Sequence, residues 1–397
     1  MSADRESWLR FARLPAAEML IPDSVRETFV DPGTLWQFWC RHYLETFVPQ
    51  GYGKVKWILG GPGAGKTHFL RHLKDSAQAM GYLTAWVDAR QARLSGIEEL
   101  YRRVAAAVDW EALIEGVGHR LLRDTMGERD YEGPLASYLT WAAAQGRSPE
   151  VTEDLVRETG PWLKRWDLER NIARVLRHAL HARWRGETPD PRTVAWLRGE
   201  PLTAADRRQL GVLANVSRRN ARAVLASLAL LAHVAGRRGL VVAVDNLDVL
   251  GRPERLEGVP YYSRSLRDQA YEMLRELIDH SIHTPYTFFA LAATTNAVTD
   301  PFQGFPAYPA LWARLESEVR TDRLNRWSDL IDLDHAWETD PDRRAALAHQ
   351  WAVATVIWDP QSPRFPRDTD QGWDWGWPRR AVAQVARRRA EEAMSDD

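Results

Sequence analysis

Short apolar runs that end in glycine or polar residues recur along the chain and predict the strands of one sheet. The clearest run is KVKWIL (54–59), which leads directly into a glycine-rich loop. Four further runs lie at 82–89, 239–245, 286–296 and 328–334. Nearly continuous apolar strands, separated by helical patterns, are typical of a parallel sheet buried on both faces. The sequence therefore predicts an α/β fold in which helices flank a parallel sheet.

Apolar residues spaced three or four positions apart predict helices in most of the remaining chain. Residues 1–53 contain amphipathic pieces such as LWQFWCRHYLETF and are expected to form a helical segment beside the first strand. Residues 54–334 are expected to form the core. Its long segment between the second and third strands shows only helical patterns, which predicts a large helical insertion at about 110–235. Residues 335–397 are expected to form a small C-terminal helical lid.

The composition of the 397 residues is that of a folded globular protein, with 45% hydrophobic and 27% charged residues. The net charge of -1 provides no overall attraction to nucleic acid, so DNA binding would need a local basic patch. The single cysteine, Cys40, excludes an internal disulfide and a cysteine metal cluster. No long apolar run or apolar leader is present. We therefore expect a cytoplasmic protein that does not enter a membrane.

The strongest candidate chemistry lies in the loop after the first predicted strand. Gly60, Gly65, Lys66 and Thr67 match the phosphate-loop pattern G-x-x-x-x-G-K-[ST] between a strand and a helix. Glycines let backbone N–H groups face phosphate oxygens, the helix N-terminus adds partial positive charge, and Lys66 adds a full charge. We expect Thr67 to ligate Mg²⁺. The residues expected to contact ATP are Gly60, Gly61, Pro62, Gly63, Ala64, Gly65, Lys66, Thr67 and His68.

A second motif, VVAVDNLD, ends the third predicted strand. Its Asp245 is expected at the carboxyl edge of the sheet, where a carboxylate can hold Mg²⁺, although an aspartate that only caps the next helix fits the same pattern. Asn246 follows where a hydrolysing enzyme usually has a carboxylate, and an amide cannot accept the proton of water. Either hydrolysis is slow, or Asp248, Glu254 or a residue of a partner serves as the acid.

The fourth predicted strand ends in the polar residues AATTN. Asn296 is expected to emerge beside the phosphates, where its amide can orient the attacking water. A turn residue ahead of the following Thr-Asp-Pro is the alternative. The sequence alone leaves both interpretations open.

Taken in order, these motifs resemble those of AAA+ P-loop ATPases of the branch near the Orc/Cdc6 initiators. The phosphate loop resembles Walker A, VVAVDNLD resembles Walker B, and AATTN resembles sensor 1. YPALWARLESE resembles the arginine-finger helix and implies that Arg314 reaches the γ-phosphate of a neighbouring subunit, while GWPRRAV resembles sensor 2 of the lid and implies that role for Arg379. Surface salt bridges are the alternative for both arginines. The resemblance implies a homo-oligomer with the catalytic set Lys66, Asp245, Asn246, Asn296, Arg314 and Arg379.

A narrower resemblance comes from AWLRGEPLT (195–203), GKTHFLRHL and GRRGLVVAVDNLD, which are similar to segments of the ATP-binding proteins of bacterial BREX phage-exclusion systems, the BrxD-like group. It implies an ATPase that remodels or licenses a DNA-associated complex together with partner proteins of the defence system. The alternative, suggested by Asn246, is an ATP-dependent switch or scaffold with little turnover. Basic residues that could contact DNA, or simply form solvated helix faces, are Arg218, Arg219, Arg222, Arg387, Arg388 and Arg389.

Overall fold

Five parallel strands form a single sheet in this chain. The structure is a computed structural model that describes residues 29, 31–61, 64–147, 150–252, 258–319 and 324–338. The strands are β1 (Gly53–Leu59), β2 (Leu83–Asp88), β3 (Leu240–Asp245), β4 (Thr287–Ala292) and β5 (Leu330–Asp332). Their order in the sheet is β2-β3-β4-β1-β5, and every pairing is parallel. The predicted α/β fold with a parallel sheet is confirmed, and each strand coincides with one predicted run.

Both faces of the sheet are covered by apolar side chains. In β1, Trp57 belongs to the core on one face and Ile58 to the core on the other. In β3, Val244 belongs to the same core as Trp57, and Ala243 belongs to the same core as Ile58. Because successive side chains of a strand point to opposite faces, a strand buried on both sides must be apolar throughout. This is why the strands occur as continuous apolar runs in the sequence.

The N-terminal helices and the helix after the glycine loop cover the face that contains Ile58. Helix α1 (Leu35–Trp39) continues through a π-helical segment (Cys40–Phe47) and a 3₁₀ turn (Val48–Gln50). Helix α2 (Lys66–Ala79) packs beside them, with Phe69 in the same core. The described part of the N-terminal segment therefore lies on this face of the sheet. The Trp39 ring of this segment contacts Phe69 of α2 at a centroid distance of 5.4 Å.

The described residues between β2 and β3 contain helices and no strand, and eight of these helices are α-helices. They are α3 (Ile97–Ala106), α4 (Trp110–Leu121), α5 (Tyr138–Ala144), α6 (Val151–Leu163), α7 (Arg170–Trp184), α8 (Pro191–Leu197), α9 (Ala204–Gln209) and α10 (Ala221–Val234). Buried residues of these helices, such as Trp110 and Trp196, share one continuous core with Trp57 of β1. The insertion thus packs into the second face of the sheet.

Four further α-helices follow β3 in the described residues. They are α11 (Arg264–Asp279), α12 (Asn296–Thr299), α13 (Pro309–Val319) and α14 (Leu333–Glu338). In the part of the chain that the structure describes, none of the helices has the length and apolar content needed to span a bilayer. The expected lid lies outside the described residues from position 339 onward.

Candidate nucleotide-binding site

The strand order brings three of the predicted motifs to one edge of the sheet. β4 pairs with β1 on one side and with β3 on the other. The glycine loop after β1, the polar residues after β4 and Asp245 at the end of β3 therefore emerge side by side. In open α/β sheets, ligands bind at this edge, beyond the carboxyl ends of the strands.

Glycines with positive φ angles lie at both ends of the glycine loop. Gly60 and Gly65 have φ angles of +153° and +96°, in the region that favours glycine. The N–H of Ala64 donates to the carbonyl of Gly61 at 3.1 Å, so these two residues lie close together. A Cβ added to Gly65 would meet no atom within 4 Å, so the space beside the helix start is open. The loop therefore fits a phosphate group, although Pro62 and Gly63 lie outside the described residues.

Lys66 is held over this loop by backbone carbonyls. Its Nζ donates to the carbonyl oxygen of Gly60 at 2.7 Å and to that of Gly61 at 2.9 Å. Burial lowers the pKa of Lys66, and nearby carboxylates raise it again. In decreasing order of effect, these carboxylates are Asp248, Asp245, Asp334 and Asp332. The excess of negative charge around one ammonium group fits a site that takes a divalent cation together with its nucleotide.

Thr67 and Asp245 join the phosphate loop to the third strand. The Thr67 hydroxyl donates to Oδ2 of Asp245 at 2.7 Å, and Asp245 is buried. Burial raises the pKa of Asp245, while hydrogen bonds from Thr67 and from the N–H of Asn246 lower it. A hydroxyl and a carboxylate oxygen at this separation are ligands of the kind Mg²⁺ prefers, with water in the remaining positions. The residues present therefore fit Mg²⁺.

Asn246 directs its side chain toward the end of β2. Its φ angle is +61°, a left-handed conformation in which asparagine is enriched among non-glycine residues. Its Nδ2 donates to Oδ1 of Asp88, the last residue of β2, at 2.9 Å. Asp88 belongs to none of the sequence motifs described above. The signal for it was its place at the end of a predicted strand, because the carboxyl ends of parallel strands meet at one edge.

The other polar residues considered for water activation have different surroundings. Asp248 lies in a 3₁₀ turn (Leu247–Gly251) and pairs with Arg252 at 3.2 Å. Asn296 begins α12 next to the site, and it is exposed. Glu254 lies outside the described residues. Of these residues, Asp248 and Asn296 reach the edge of the sheet that holds the glycine loop.

The expected arginine finger is engaged within its own chain. Nε and Nη2 of Arg314 on α13 each donate to the carboxylate of Asp279 at 2.9 Å. Arg275 also forms an ion pair with Asp279. Arg379 lies outside the described residues. In the single chain, the charge of Arg314 is therefore compensated by a carboxylate on α11.

Two of the basic residues considered for DNA contact also form polar contacts within the chain. Arg218 donates to the carbonyl of Ser95 at 2.9 Å, and Arg222 pairs with Glu276 at 2.7 Å. Arg387, Arg388 and Arg389 lie outside the described residues. The described contacts thus assign Arg218 and Arg222 to links between the insertion and the rest of the fold.

We expect His68 to make stability depend on pH. Burial lowers the pKa of His68 from 6.5 to about 4, and its ring stacks with Phe29 at a centroid distance of 6.0 Å. Between pH 6.5 and about 4 the unfolded chain binds a proton that the folded chain does not, so stability falls as the pH falls. From pH 7 to pH 5 the wild type should lose about 1–2 kcal/mol more free energy of unfolding than His68→Gln, measured by urea unfolding.

The control for this measurement is His178→Gln, which replaces an exposed histidine on α7. It should keep the full pH dependence of the wild type. If His68→Gln and the wild type lost the same free energy between the two pH values, the acid sensitivity would come from other groups.

The fold and the site together define a P-loop nucleotide-binding protein: a five-stranded parallel sheet whose first strand leads through G-x-x-x-x-G-K-T into a helix. The family model of the BREX system ATP-binding protein BrxC/D matches residues 41–335, most of the chain. The chain belongs to this family. Membership confirms the BREX resemblance and gives the chain an ATP-binding role in BREX phage defence, alongside the partner proteins of that system.

Other comparisons add no further relative. Neither a search of curated proteins nor a search of solved structures finds a match to the chain. The likeness to the Orc/Cdc6 branch of AAA+ ATPases therefore stays a prediction from the motifs.

Proposed function

We propose that this protein binds ATP with Mg²⁺ and hydrolyses it as an AAA+ ATPase that remodels or licenses a DNA-associated complex in BREX defence. The observation that carries this proposal is the 2.7 Å hydrogen bond between Thr67 and Asp245. It joins the helix after the phosphate loop to a carboxylate at the end of β3, which is the arrangement needed to hold a metal beside phosphates. Membership of an ATP-binding BREX family supports the choice of nucleotide and system.

Each residue of the site has a distinct part in this proposal. Backbone N–H groups of the loop and the N-terminus of α2 bind phosphate oxygens. Lys66 exchanges the carbonyls of Gly60 and Gly61 for the β- and γ-phosphates, and Thr67 with Asp245 holds Mg²⁺. When bound, Mg²⁺ supplies positive charge that stabilises the transferring phosphoryl group.

We propose further that the active site is completed between subunits of a homo-oligomer. Arg314 would exchange its carboxylate partner, Asp279, for the γ-phosphate bound to a neighbouring chain. A guanidinium placed there neutralises charge that develops in the transition state. The pair with Asp279 keeps the guanidinium ordered and compensated until the subunits assemble.

Arg314→Ala is expected to keep ATP affinity and to lower turnover about a hundredfold or more. A mixture of Arg314→Ala with Lys66→Ala should recover part of the activity, because some interfaces then combine an intact loop with an intact finger. Turnover and nucleotide affinity are measured for each protein and for mixtures. Arg275→Ala is the matched control, since it removes the other arginine that pairs with Asp279. Without recovery in mixtures, Arg314 has a structural role.

The experiment that tests the proposed function combines two measurements on the purified protein. ATP turnover is measured alone and with single- or double-stranded DNA, and particle size is measured with and without ATP. We expect turnover that DNA increases and a larger assembly with ATP. A protein that binds ATP but shows no turnover under any of these conditions would contradict hydrolysis.

An ATP-dependent switch with little turnover is the second candidate, and Asn246 favours it. The amide stands directly after Asp245 and donates to Asp88. In a switch, ATP binding alone would drive assembly and recruitment of partner proteins. This candidate predicts the same size change with ATP and no effect of DNA on turnover.

A further inference from the structure

We propose that Asp88 is the carboxylate that accepts the proton of the attacking water, and that Asn246 is its positioning residue. This inference rests on the proposed hydrolysis of ATP. In this assignment the site keeps an acid, but that acid is Asp88 at the end of β2. The amide of Asn246 occupies the position after Asp245 where the acid was expected.

The sheet places Asp88 directly beside the proposed metal ligand. Asp88 and Asp245 are partners in the parallel register of β2 and β3, and neighbouring strands lie about 4.8 Å apart. Val87 and Val244, which precede them, both belong to the core of one face. Asp88 and Asp245 therefore share the opposite face, the one that carries α2 and Thr67. The Asp88 carboxylate also raises the pKa of Asp245, as a close like charge does.

The hydrogen bonds of Asp88 fix one of its two carboxylate oxygens. Oδ1 accepts from Nδ2 of Asn246 at 2.9 Å and from the N–H of Arg90 at 2.9 Å, and Nε of Arg90 lies 3.5 Å away. Among the residues that the structure describes, none donates a hydrogen bond to Oδ2. The side chain is only 12% exposed, so its orientation is defined. One oxygen is thus held while the other is available as an acceptor.

The other carboxylates at this edge are engaged in different contacts. Asp245 accepts from Thr67, Asp248 pairs with Arg252, and Asp334 accepts from the N–H of Gly61 at 2.6 Å. Asp332 accepts from the N–H of Asp334 on the far side of β1. Among the described acids of this edge, Asp88 is the one whose partner is the asparagine at the expected acid position. This pairing singles it out.

The proposed step balances without a further reactant. The water oxygen forms a bond to the γ-phosphorus as the bond from that phosphorus to the β,γ-bridging oxygen breaks, and ADP leaves with the bonding electrons. The proton of the water passes to Oδ2 of Asp88 and then to solvent. The amide of Asn246 donates to Oδ1 and keeps the carboxylate directed during the step. General-base assistance of this kind contributes about a hundredfold or more to a rate.

The test begins with Asp88→Asn, which keeps the shape of the side chain and an oxygen that can accept from Asn246 and Arg90. ATP affinity and melting temperature should stay close to those of the wild type, while turnover falls about a hundredfold. Asp109→Asn is the matched control, because this aspartate caps α4 in the insertion and asparagine caps equally well. If Asp88→Asn kept more than half of the wild-type turnover, the inference would be wrong.

Exchanging the two residues separates chemistry from structure. Asp88→Asn combined with Asn246→Asp restores both a carboxylate and an amide to the pair, and turnover should rise about tenfold above that of Asp88→Asn alone. A double variant no more active than Asp88→Asn overturns the paired role. Asn246→Glu alone should lower turnover, because it breaks the hydrogen bond and adds a like charge beside Asp88, whereas a switch that lacks only an acid would become more active.

Failure of this inference differs from failure of the proposed function. If the wild type shows no turnover with or without DNA, hydrolysis itself is contradicted, and the role of Asp88 is contradicted with it. If the wild type turns over ATP and Asp88→Asn does so equally well, only the assignment of the base is overturned.

Discussion

Lys66→Ala is expected to weaken ATP binding about a hundredfold or more. Lys66 is the ammonium that the loop carbonyls hold where the phosphates are proposed to bind. Four carboxylates act on this one ammonium, so its removal leaves the site strongly negative toward a triphosphate. Truncating one partner of a buried charged pair costs about 2–5 kcal/mol, and each 1.4 kcal/mol is about a factor of ten in affinity.

The measurement is a titration with a fluorescent ATP analogue, and the chain offers a close control. Lys54 is also on β1, but it pairs with Asp329 at 2.6 Å and stands at the opposite end of the strand from the loop. Lys54→Ala should leave affinity within about twofold. If Lys66→Ala bound the analogue as tightly as Lys54→Ala does, the nucleotide would not lie on the glycine loop, and the assignments built on that loop would fail.

The sheet could be predicted from the sequence because its strands are buried on both faces. A strand such as β3 has no solvent side, so LVVAVD is apolar up to the aspartate at which it ends. The glycine loop could be predicted for a related reason. Its left-handed φ angles at Gly60 and Gly65 limit the residue types that fit, so the pattern is specific.

The pairing of Asp88 with Asn246 could not be predicted, because it depends on strand order. Nothing near Asp88 in the sequence shows that β2 lies beside β3, which is reached only after the whole helical insertion. The same holds for Asp334, which contacts the N–H of Gly61 only because β5 lies next to β1. Contacts made across a sheet edge by distant segments have no local signal in the sequence.

The face of the sheet that the insertion covers could not be predicted either, because it is set by three-dimensional packing. Helical periodicity predicted the helices but gave no information on where their apolar sides point. In the structure, these helices share a core with the face of the sheet opposite α2. Helix α2, which begins at the phosphate loop, and the insertion therefore pack on opposite faces of the sheet.

The replacement Asp245→Asn is expected to abolish the effect of Mg²⁺ on ATP binding and to lower turnover about a hundredfold or more. The asparagine keeps an oxygen that can accept from the N–H of Asn246 and gains an amide that can donate to the Thr67 hydroxyl, but it loses the charge that would hold the metal. In the presence of EDTA the same variant should bind ATP as well as the wild type or better, because a carboxylate next to the phosphates has been removed. The measurement is a pair of titrations, with Mg²⁺ and with EDTA, and Asp109→Asn should behave as the wild type does in both.

The stability of Asp245→Asn separates loss of function from loss of structure. Burial raises the pKa of Asp245, so a charge on this carboxylate costs free energy in the folded protein. Removing the charge should raise the free energy of unfolding of the nucleotide-free protein by about 1 kcal/mol. A variant that is more stable yet insensitive to Mg²⁺ identifies Asp245 as a residue kept for binding the metal. A variant that is less stable and still responds to Mg²⁺ would instead assign Asp245 to holding α2 against β3 through Thr67.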